Sequence, residues 1–302
     1  MAVETAEDLL EKGRMLEELG GPDRINEARE CYRMAAELGS AEACCRMGRT
    51  FNRGEDYIGG QPAAEWFDRA VQLGCLEAQA RLGWLHYMGW GVPKAHDLAY
   101  SLINEAAGQG NALGQYMLGV MYERGDYLRR SGEEAFGWYS RSADQGHYRG
   151  CMGLAGLYFK GFGVKQSYGE AARLYAIAAE KPYPPAELAL GTLYYEGEGV
   201  PQSYQDAARL YRRAAEGGMP EAMYALGVMY RDGKGVRQSN EEALAWYRKA
   251  ERSDRDALYR IGMMILKGFG VPKSRDDAAG WLRIASGRGS WEARSALRSL
   301  GC

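Results

Sequence analysis

The sequence predicts an all-α fold, a solenoid of eight antiparallel helix pairs followed by one C-terminal helix. Two pairs of near-copies indicate its period. LGVMYERG at 118–125 returns as LGVMYRDG at 226–233, which is 108 positions later, or three times 36. SYGEAARLYAIAAE begins at Ser167, and SYQDAARLYRRAAE begins 36 positions later at Ser203. A constant period of this length is typical of an array in which each repeat is one supersecondary element.

A small residue that recurs every 35 or 36 positions marks the first helix of each repeat, helix A. An apolar residue usually precedes it and an aromatic or large apolar residue follows three positions later, which places these groups on one helix face. A second glycine, six positions after the first, can adopt the left-handed conformation that ends a helix. The small residues are Gly13, Gly48, Gly83, Gly119, Ala155, Gly191, Gly227 and Gly262. The second glycines are Gly54, Gly89, Gly125, Gly161, Gly197, Gly233 and Gly268.

A serine marks the start of the second helix, helix B, in five repeats. Each stands three residues before Glu or Asp, the spacing of a capping box, in which the hydroxyl accepts from a backbone amide and the acidic side chain returns to the serine amide. Because one helix pair cannot bury its own apolar faces, the pairs must stack, and aromatic residues are expected to fill the space between neighbouring repeats. The cap serines are Ser131, Ser167, Ser203, Ser239 and Ser274.

The repeats extend over the whole chain, 1–302, which is predicted to be a single domain without a linker. The final stretch, SWEARSALRSLGC, supplies a capping helix that no helix B follows. The predicted repeats are 5–40, 41–75, 76–110, 111–146, 147–182, 183–218, 219–254 and 255–289, and the capping helix is 290–302.

The pattern AxxxLGxxYxxGxGVxxsxxxAxxWYxxAA resembles the Sel-1-like repeat family, a branch of the tetratricopeptide-like helical repeats. Its best copies are ALGTLYYEGEGVPQSYQDAARLYRRAAEGG (189–218) and ALGVMYRDGKGVRQSNEEALAWYRKA (225–250). The resemblance extends from about Ala6 to about Leu300, although the first two repeats lack the GxGV loop and the fourth has ERGDYLRRSGEE. It implies a right-handed superhelix that binds and assembles other proteins without catalysis.

Composition argues against several classes of partner and location. The 38 Lys and Arg residues nearly balance the 40 Asp and Glu residues and form no long basic run, so no nucleic-acid partner is predicted. No run of about 18 apolar residues predicts membrane insertion. The N-terminal MAVETAEDLLEKG lacks the regions of a signal peptide, and the six cysteines form no CxxC pair. We therefore expect a cytoplasmic protein with reduced thiols.

No motif in the sequence predicts catalysis, a cofactor or a metal. The GxGV loops follow helices and lack the preceding strand and the Lys-Ser/Thr pair of a phosphate-binding loop, so inter-helix turns are favoured. His86, His96 and His147 lie in different repeats without the spacing of metal ligands. None of them is phased to activate a cap serine as a nucleophile.

The candidate binding surface is the face of helix A that is not used for packing. The resemblance implies that helix A lines the concave surface, with exposed positions six and three before the small residue and one and four after it. From the third repeat onward, aromatic residues and Met crowd these positions, which indicates contact with a peptide or protein segment, with arginines pairing its acidic groups. The candidate residues are Arg49, Trp84, Tyr87, Tyr116, Met152, Phe159, Tyr195, Tyr224, Arg231 and Tyr259.

Three alternatives remain open from the sequence. The rings at these positions could serve only inter-helix packing, since the assumed phase could be off by one residue. The chain could be a structural protein that self-associates or spaces other components, although a monomer is expected. It could also bind a small molecule, or catalyse a reaction, in a pocket that no motif reveals.

Overall fold

The computed structural model describes residues 4–51 and 60–301, and this part of the chain contains 17 α-helices and no strand. The helices alternate as A and B, which confirms the predicted all-α fold of eight antiparallel pairs and a C-terminal helix. They form two compact units. The N-terminal unit comprises Met1–Leu154 with Phe162–Val164, and the C-terminal unit comprises Ala155–Gly161 with Lys165–Cys302.

The odd-numbered helices α1 to α15 are the A helices, the even-numbered helices are the B helices, and α17 stands alone. The A helices are α1 (Ala6–Leu19), α3 (Ala41–Phe51), α5 (Leu76–Met88), α7 (Ala112–Arg124), α9 (Tyr148–Lys160), α11 (Pro184–Glu196), α13 (Pro220–Asp232) and α15 (Arg255–Lys267). The others are α2 (Pro22–Glu37), α4 (Gly60–Gln72), α6 (His96–Gly108), α8 (Gly132–Asp144), α10 (Tyr168–Ala178), α12 (Tyr204–Glu216), α14 (Asn240–Ala250), α16 (Arg275–Gly287) and α17 (Trp291–Ser299). None of them, within the described ranges, is long and apolar enough to cross a membrane.

In the fourth and seventh repeats the small residue of helix A receives an aromatic ring from helix B, whereas Gly83 faces Ile103 and Gly262 faces Leu282. A methyl group added to Gly119 would lie 2.6 Å from the ring of Tyr139, and one added to Gly227 would lie 2.6 Å from the ring of Tyr247. Both tyrosines are buried. Each ring packs against the glycine of its own repeat, and the Tyr139 ring also faces the next repeat, where a methyl group added to Gly153 of α9 would lie 2.7 Å from it. Tyr139 thus agrees with the expectation that rings fill the space between neighbouring repeats.

The loop between helix A and helix B makes one of the contacts between consecutive repeats, beside the packing of helix B on the next helix A. Its first glycine ends helix A in the left-handed conformation, as at Gly125 (φ 71°) and Gly233 (φ 68°), while Gly54 lies outside the described residues. Its second glycine also has positive φ, 68° at Gly235, and lies against the backbone of Tyr204 at the start of helix B of the preceding repeat. Gly163, Gly199 and Gly270 make equivalent contacts. The GxGV motif is thus explained by turn geometry and close backbone approach.

The five cap serines act as predicted in one half of the capping box. Each hydroxyl accepts from the amide three residues ahead, as between Ser203 and Asp206 at 3.2 Å. The serine amide, however, donates to the last turn of helix A, and the Ser203 amide lies 2.9 Å from the carbonyl oxygen of Tyr194. In α1, by contrast, Thr5 and Asp8 form the complete reciprocal box. Since the serine amide already ties two helices together, the acidic side chain is not needed to satisfy it.

Candidate functional site

Nine of the ten predicted site residues are partly exposed, and Tyr87 is the exception. Only 1% of Tyr87 is exposed, and its hydroxyl donates to Asp126 in the next repeat. Its ring lies 5.0 Å from that of Trp84 and 5.4 Å from that of His96. The placement of Tyr87 on an exposed face is therefore corrected, because helix packing covers the ring and leaves none of it available to a partner.

Trp84 and Tyr116 lie at the edge of one core cluster in the N-terminal unit. The guanidinium of Arg124 lies 5.9 Å from the Trp84 ring, within cation–π range. The ring of Tyr116 stacks on that of Tyr139 at 5.9 Å. Each ring is thus held by neighbours on one side and keeps part of its surface open. Met152, on α9, is also partly exposed.

Arg49 belongs to an ion-pair network on α1, α3 and α5 that the sequence analysis did not predict. Its guanidinium lies 3.8 Å from the carboxylate of Glu77, which also pairs with Arg81 at 2.7 Å. Arg46 pairs with Glu42 at 3.0 Å and, across to α1, with Glu17 at 3.3 Å. The signal was present, since Glu-x-x-x-Arg recurs at 42–46 and 77–81, one period apart, with the spacing of helical ion pairs. This stretch of the helix A face is polar and self-paired.

In the C-terminal unit, Tyr195 and Phe159 each make the same edge-on ring contact with the first tyrosine of the following helix B. The Tyr195 ring lies edge-on to that of Tyr204 at 5.2 Å, and Phe159 meets Tyr168 in the same way at 5.4 Å. The ammonium of Lys234 donates to the Tyr195 hydroxyl at 2.8 Å and lies 4.8 Å above the same ring. The Tyr195 ring and the Lys234 ammonium therefore lie side by side on the helix A face.

Tyr224, Arg231 and Tyr259 surround a second aromatic and cationic group in the same unit. The Tyr224 ring lies 5.6 Å from that of Tyr247, and its hydroxyl accepts from Arg260 at 3.4 Å. Arg260 also lies 5.6 Å from the ring of Tyr259. Arg231 makes two hydrogen bonds to Asp232, at 2.7 and 2.9 Å. The structure thus brings three predicted residues near one cation, Arg260, that sequence reasoning missed.

Two cysteines of the N-terminal unit have unequal acidities. A hydrogen bond from the Cys45 thiol, aided by the amides of Ala78 and Glu77 at the start of α5, lowers the pKa of Cys75 to about 6. The same contact, together with burial, raises the pKa of Cys45. Burial also raises the pKa values of Cys31 and Cys44. Of these four thiols, Cys75 is the one whose pKa is lowered.

We expect iodoacetamide to alkylate Cys75 first, because the thiolate is the reacting form. In a chain that carries Cys302→Ser, mass spectrometry should show a rate that rises with pH through a midpoint near 6. Cys45→Ala should move this midpoint upward, since it removes the main group that stabilises the thiolate. An unchanged midpoint in Cys45→Ala would contradict the assignment, and Cys31 serves as the buried internal control.

Within residues 4–51 and 60–301, no three or more His, Cys, Asp or Glu side chains are grouped so that they could hold a metal ion. The helix A face carries rings, thioethers and guanidinium groups, together with the paired carboxylates of α1, α3 and α5.

The helix pairs, their period and their glycine loops define an α-helical repeat protein. The family model described as Sel1 repeat matches eight segments, so the chain belongs to the Sel1 repeat family, whose members are generally protein–protein interaction scaffolds. The matched segments are 9–40, 41–75, 76–111, 112–147, 149–183, 184–219, 220–254 and 255–290.

Solved structures of this family resemble the chain along nearly its whole length. A Sel1 repeat protein from Oxalobacter formigenes is 31% identical with a TM-score of 0.67, over 98% of this chain and 86% of that one. The c5321 protective antigen of uropathogenic Escherichia coli, with an SLR fold, is 30% identical with a TM-score of 0.70. The match covers 98% of this chain but 64% of the antigen, less than two thirds of its length. None of the curated proteins matches the chain significantly.

Proposed function

We propose that this protein is a non-catalytic scaffold that binds an extended, acidic segment of a partner protein along its A helices, the surface expected to be concave. The observation that carries the proposal is the pairing of partly exposed rings with cations. Arg124 lies beside Trp84, Lys234 beside Tyr195 and Arg260 beside Tyr259. Aromatic residues and arginine are the side chains most enriched in the energetic centres of protein interfaces.

The rings are held in place before a partner arrives. Tyr116 rests on Tyr139, and Trp84 lies between Tyr87 and Arg124, so neither ring needs to be ordered on binding. Side chains that are already ordered reduce the entropic cost of association. This favours a specific contact surface over incidental exposure of apolar atoms.

The spacing of the A helices fits an extended chain. The A helices α5 and α7 contact each other, and packed helices lie about 8–10 Å apart. An extended chain advances about 3.3 Å per residue, so roughly three residues of a partner segment would cross each repeat. Every third side chain could then meet an equivalent position of helix A.

The positive charges beside the rings favour an acidic partner segment. Nearby carboxylates on the same helices are engaged within the protein, Glu123 by the Tyr139 hydroxyl at 2.9 Å and Asp232 by Arg231. Cations that flank rings can therefore attract a partner's carboxylates, which accelerates encounter and disfavours basic partners.

The test compares two double variants of the full chain with a displayed library of disordered peptides. Peptides selected on the wild type should be enriched in acidic residues. Trp84→Ala with Tyr116→Ala should weaken the best peptide about thirtyfold, since two hot spots contribute about 1 kcal/mol or more each. The control, Leu98→Ala with Trp291→Ala, removes apolar groups that are 45% and 71% exposed elsewhere and should keep the wild-type affinity.

Before affinities are compared, circular dichroism must show that both double variants retain the helical content of the wild type. Equal affinity of both variants for the selected peptide would overturn the binding face. Concentration-dependent light scattering of the wild type alone, abolished in the Trp84 and Tyr116 variant, would favour the self-associating alternative.

A further inference from the structure

In two repeats the buried tyrosine of helix B donates a hydrogen bond to a glutamate at a fixed position of helix A. The hydroxyl of Tyr32 donates to Glu17 at 2.7 Å, and the hydroxyl of Tyr139 donates to Glu123 at 2.9 Å. Both glutamates stand four positions after the small residue of helix A, at Gly13 and Gly119. A carboxylate at this position therefore satisfies the buried phenol from within the same repeat.

The seventh repeat breaks this arrangement. Tyr247 occupies the same position of helix B, but the residue four positions after Gly227 is Arg231, which can only donate. Tyr247 is 0% exposed, and its hydroxyl has no hydrogen-bond partner in the described part of the chain. A fully buried hydroxyl without an acceptor is unfavourable and rare in native proteins, so this one calls for an acceptor from outside the repeat.

A cavity of about 260 Å³ opens at this tyrosine. Tyr247 lines it together with three cations and no carboxylate, the cations being Arg231, Arg260 and Lys267. Asp232 engages Arg231 through Nε and Nη2. Within residues 4–51 and 60–301, no carboxylate forms an ion pair with Arg260 or Lys267, the other two cations of the lining. The cavity therefore combines an excess of donors with positive charge.

We propose that this cavity binds a single carboxylate side chain, Asp or Glu, of the partner segment. A carboxylate only accepts hydrogen bonds and can take one from the Tyr247 hydroxyl and others from a guanidinium. Burial raises the pKa of Tyr247, so its hydroxyl remains a donor at neutral pH. Met263 and Phe269 in the lining can contact the methylene groups of the incoming side chain.

The size of the cavity argues for one side chain over a free small molecule. Pockets for small molecules measure about 300–1,000 Å³, and this cavity is smaller. It lies on the helix A face, since Arg231 and Met263 stand four and one positions after the small residues of α13 and α15. The inference thus rests on the proposed function and adds to it a defined acidic position.

The probe is the peptide acetyl-Gly-Glu-Gly-Glu-Gly-amide, titrated into the full chain while the arginine Nε–Hε signals are followed by NMR. We expect the signals of Arg231 and Arg260 to shift saturably with this peptide and to stay unchanged with its Gln-for-Glu counterpart. Arg260→Met should weaken binding at least tenfold. Arg237→Met, an exposed arginine outside the cavity, makes the same charge change and should have the wild-type affinity.

Tyr247→Phe separates binding from stability. Because its hydroxyl satisfies no group in the protein, the variant should melt at or above the wild-type temperature while it binds the glutamate peptide several-fold more weakly. Tyr139→Phe, which loses the bond to Glu123, should melt lower and bind this peptide as the wild type does.

Equal affinity for the Glu and Gln peptides, or wild-type affinity in both Arg260→Met and Tyr247→Phe, would overturn the proposal. So would inorganic phosphate that saturates the Arg231 and Arg260 signals while the glutamate peptide has no effect. Failure of the proposed function is distinguishable, because it appears as selected peptides that are insensitive to Trp84 and Tyr116, whether or not the cavity binds glutamate.

Discussion

Gly235→Ala is expected to lower the free energy of unfolding of the C-terminal unit by about 2–5 kcal/mol. Of this, about 1–2 kcal/mol arises because alanine is disfavoured at the φ of 68°. A further 1–3 kcal/mol or so arises because the new methyl group overlaps the backbone of Tyr204, which cannot rotate away as a side chain could. Chemical denaturation followed by far-ultraviolet circular dichroism measures the loss.

Gly218→Ala is the matched control for this change. Gly218 has a φ of 91°, also in the left-handed region, but nothing lies within 4 Å of the position of its added methyl group. It should show only the conformational cost of about 1–2 kcal/mol. If both variants lose the same stability, the overlap of the added methyl group with the Tyr204 backbone contributes nothing.

In Gly235→Ala, hydrogen exchange should also accelerate in α12 and α14, because stacked repeats are stabilised by their neighbours.

Gly119→Ala should destabilise the N-terminal unit by about 1–3 kcal/mol, although alanine is the better helix former. The added methyl group would lie 2.6 Å from the ring of Tyr139, which is buried and hydrogen-bonded to Glu123 and therefore cannot move without breaking that bond. Thermal and chemical unfolding of the full chain measure the difference in stability.

Gly137→Ala on α8 controls for helix propensity alone. No atom lies within 4 Å of its added methyl group, so this variant should be about 0.5–1 kcal/mol more stable than the wild type. Tyr139→Leu combined with Gly119→Ala should cost less than the sum of the two single changes, since the smaller side chain relieves the overlap. Additive effects would contradict the packing explanation.

The fold could be read from the sequence because the information repeats. One helix pair gives an ambiguous signal, but the same glycine, aromatic and serine positions recur in phase through most of eight repeats. Each recurrence tests the same interpretation. The cap serines show the limit of local rules, because the hydroxyl does what the motif predicts while the serine amide bonds to Tyr194 or its equivalents in helix A.

The binding face was harder to predict because exposure depends on neighbours that the period does not specify. Tyr87 and Tyr195 hold equivalent positions four residues after the small residue, yet Tyr87 is buried and Tyr195 is partly exposed. Helix packing covers the Tyr87 ring, and the following repeat supplies different partners to the two hydroxyls, Asp126 as an acceptor for Tyr87 and Lys234 as a donor to Tyr195. Equivalent positions in the repeat therefore do not show which rings remain exposed.

The sequence by itself determined the helix pairs, their number, the turns between them and the family to which the chain belongs. These depend on backbone conformation and on apolar periodicity, which are local properties that recur in each repeat. Only the tertiary structure decided which polar groups find partners, as with Arg49 in an ion pair and Tyr247 without an acceptor. Hydrogen bonds and ion pairs depend on distances of a few tenths of an ångström between residues that lie far apart in the chain, and no sequence pattern fixes such distances.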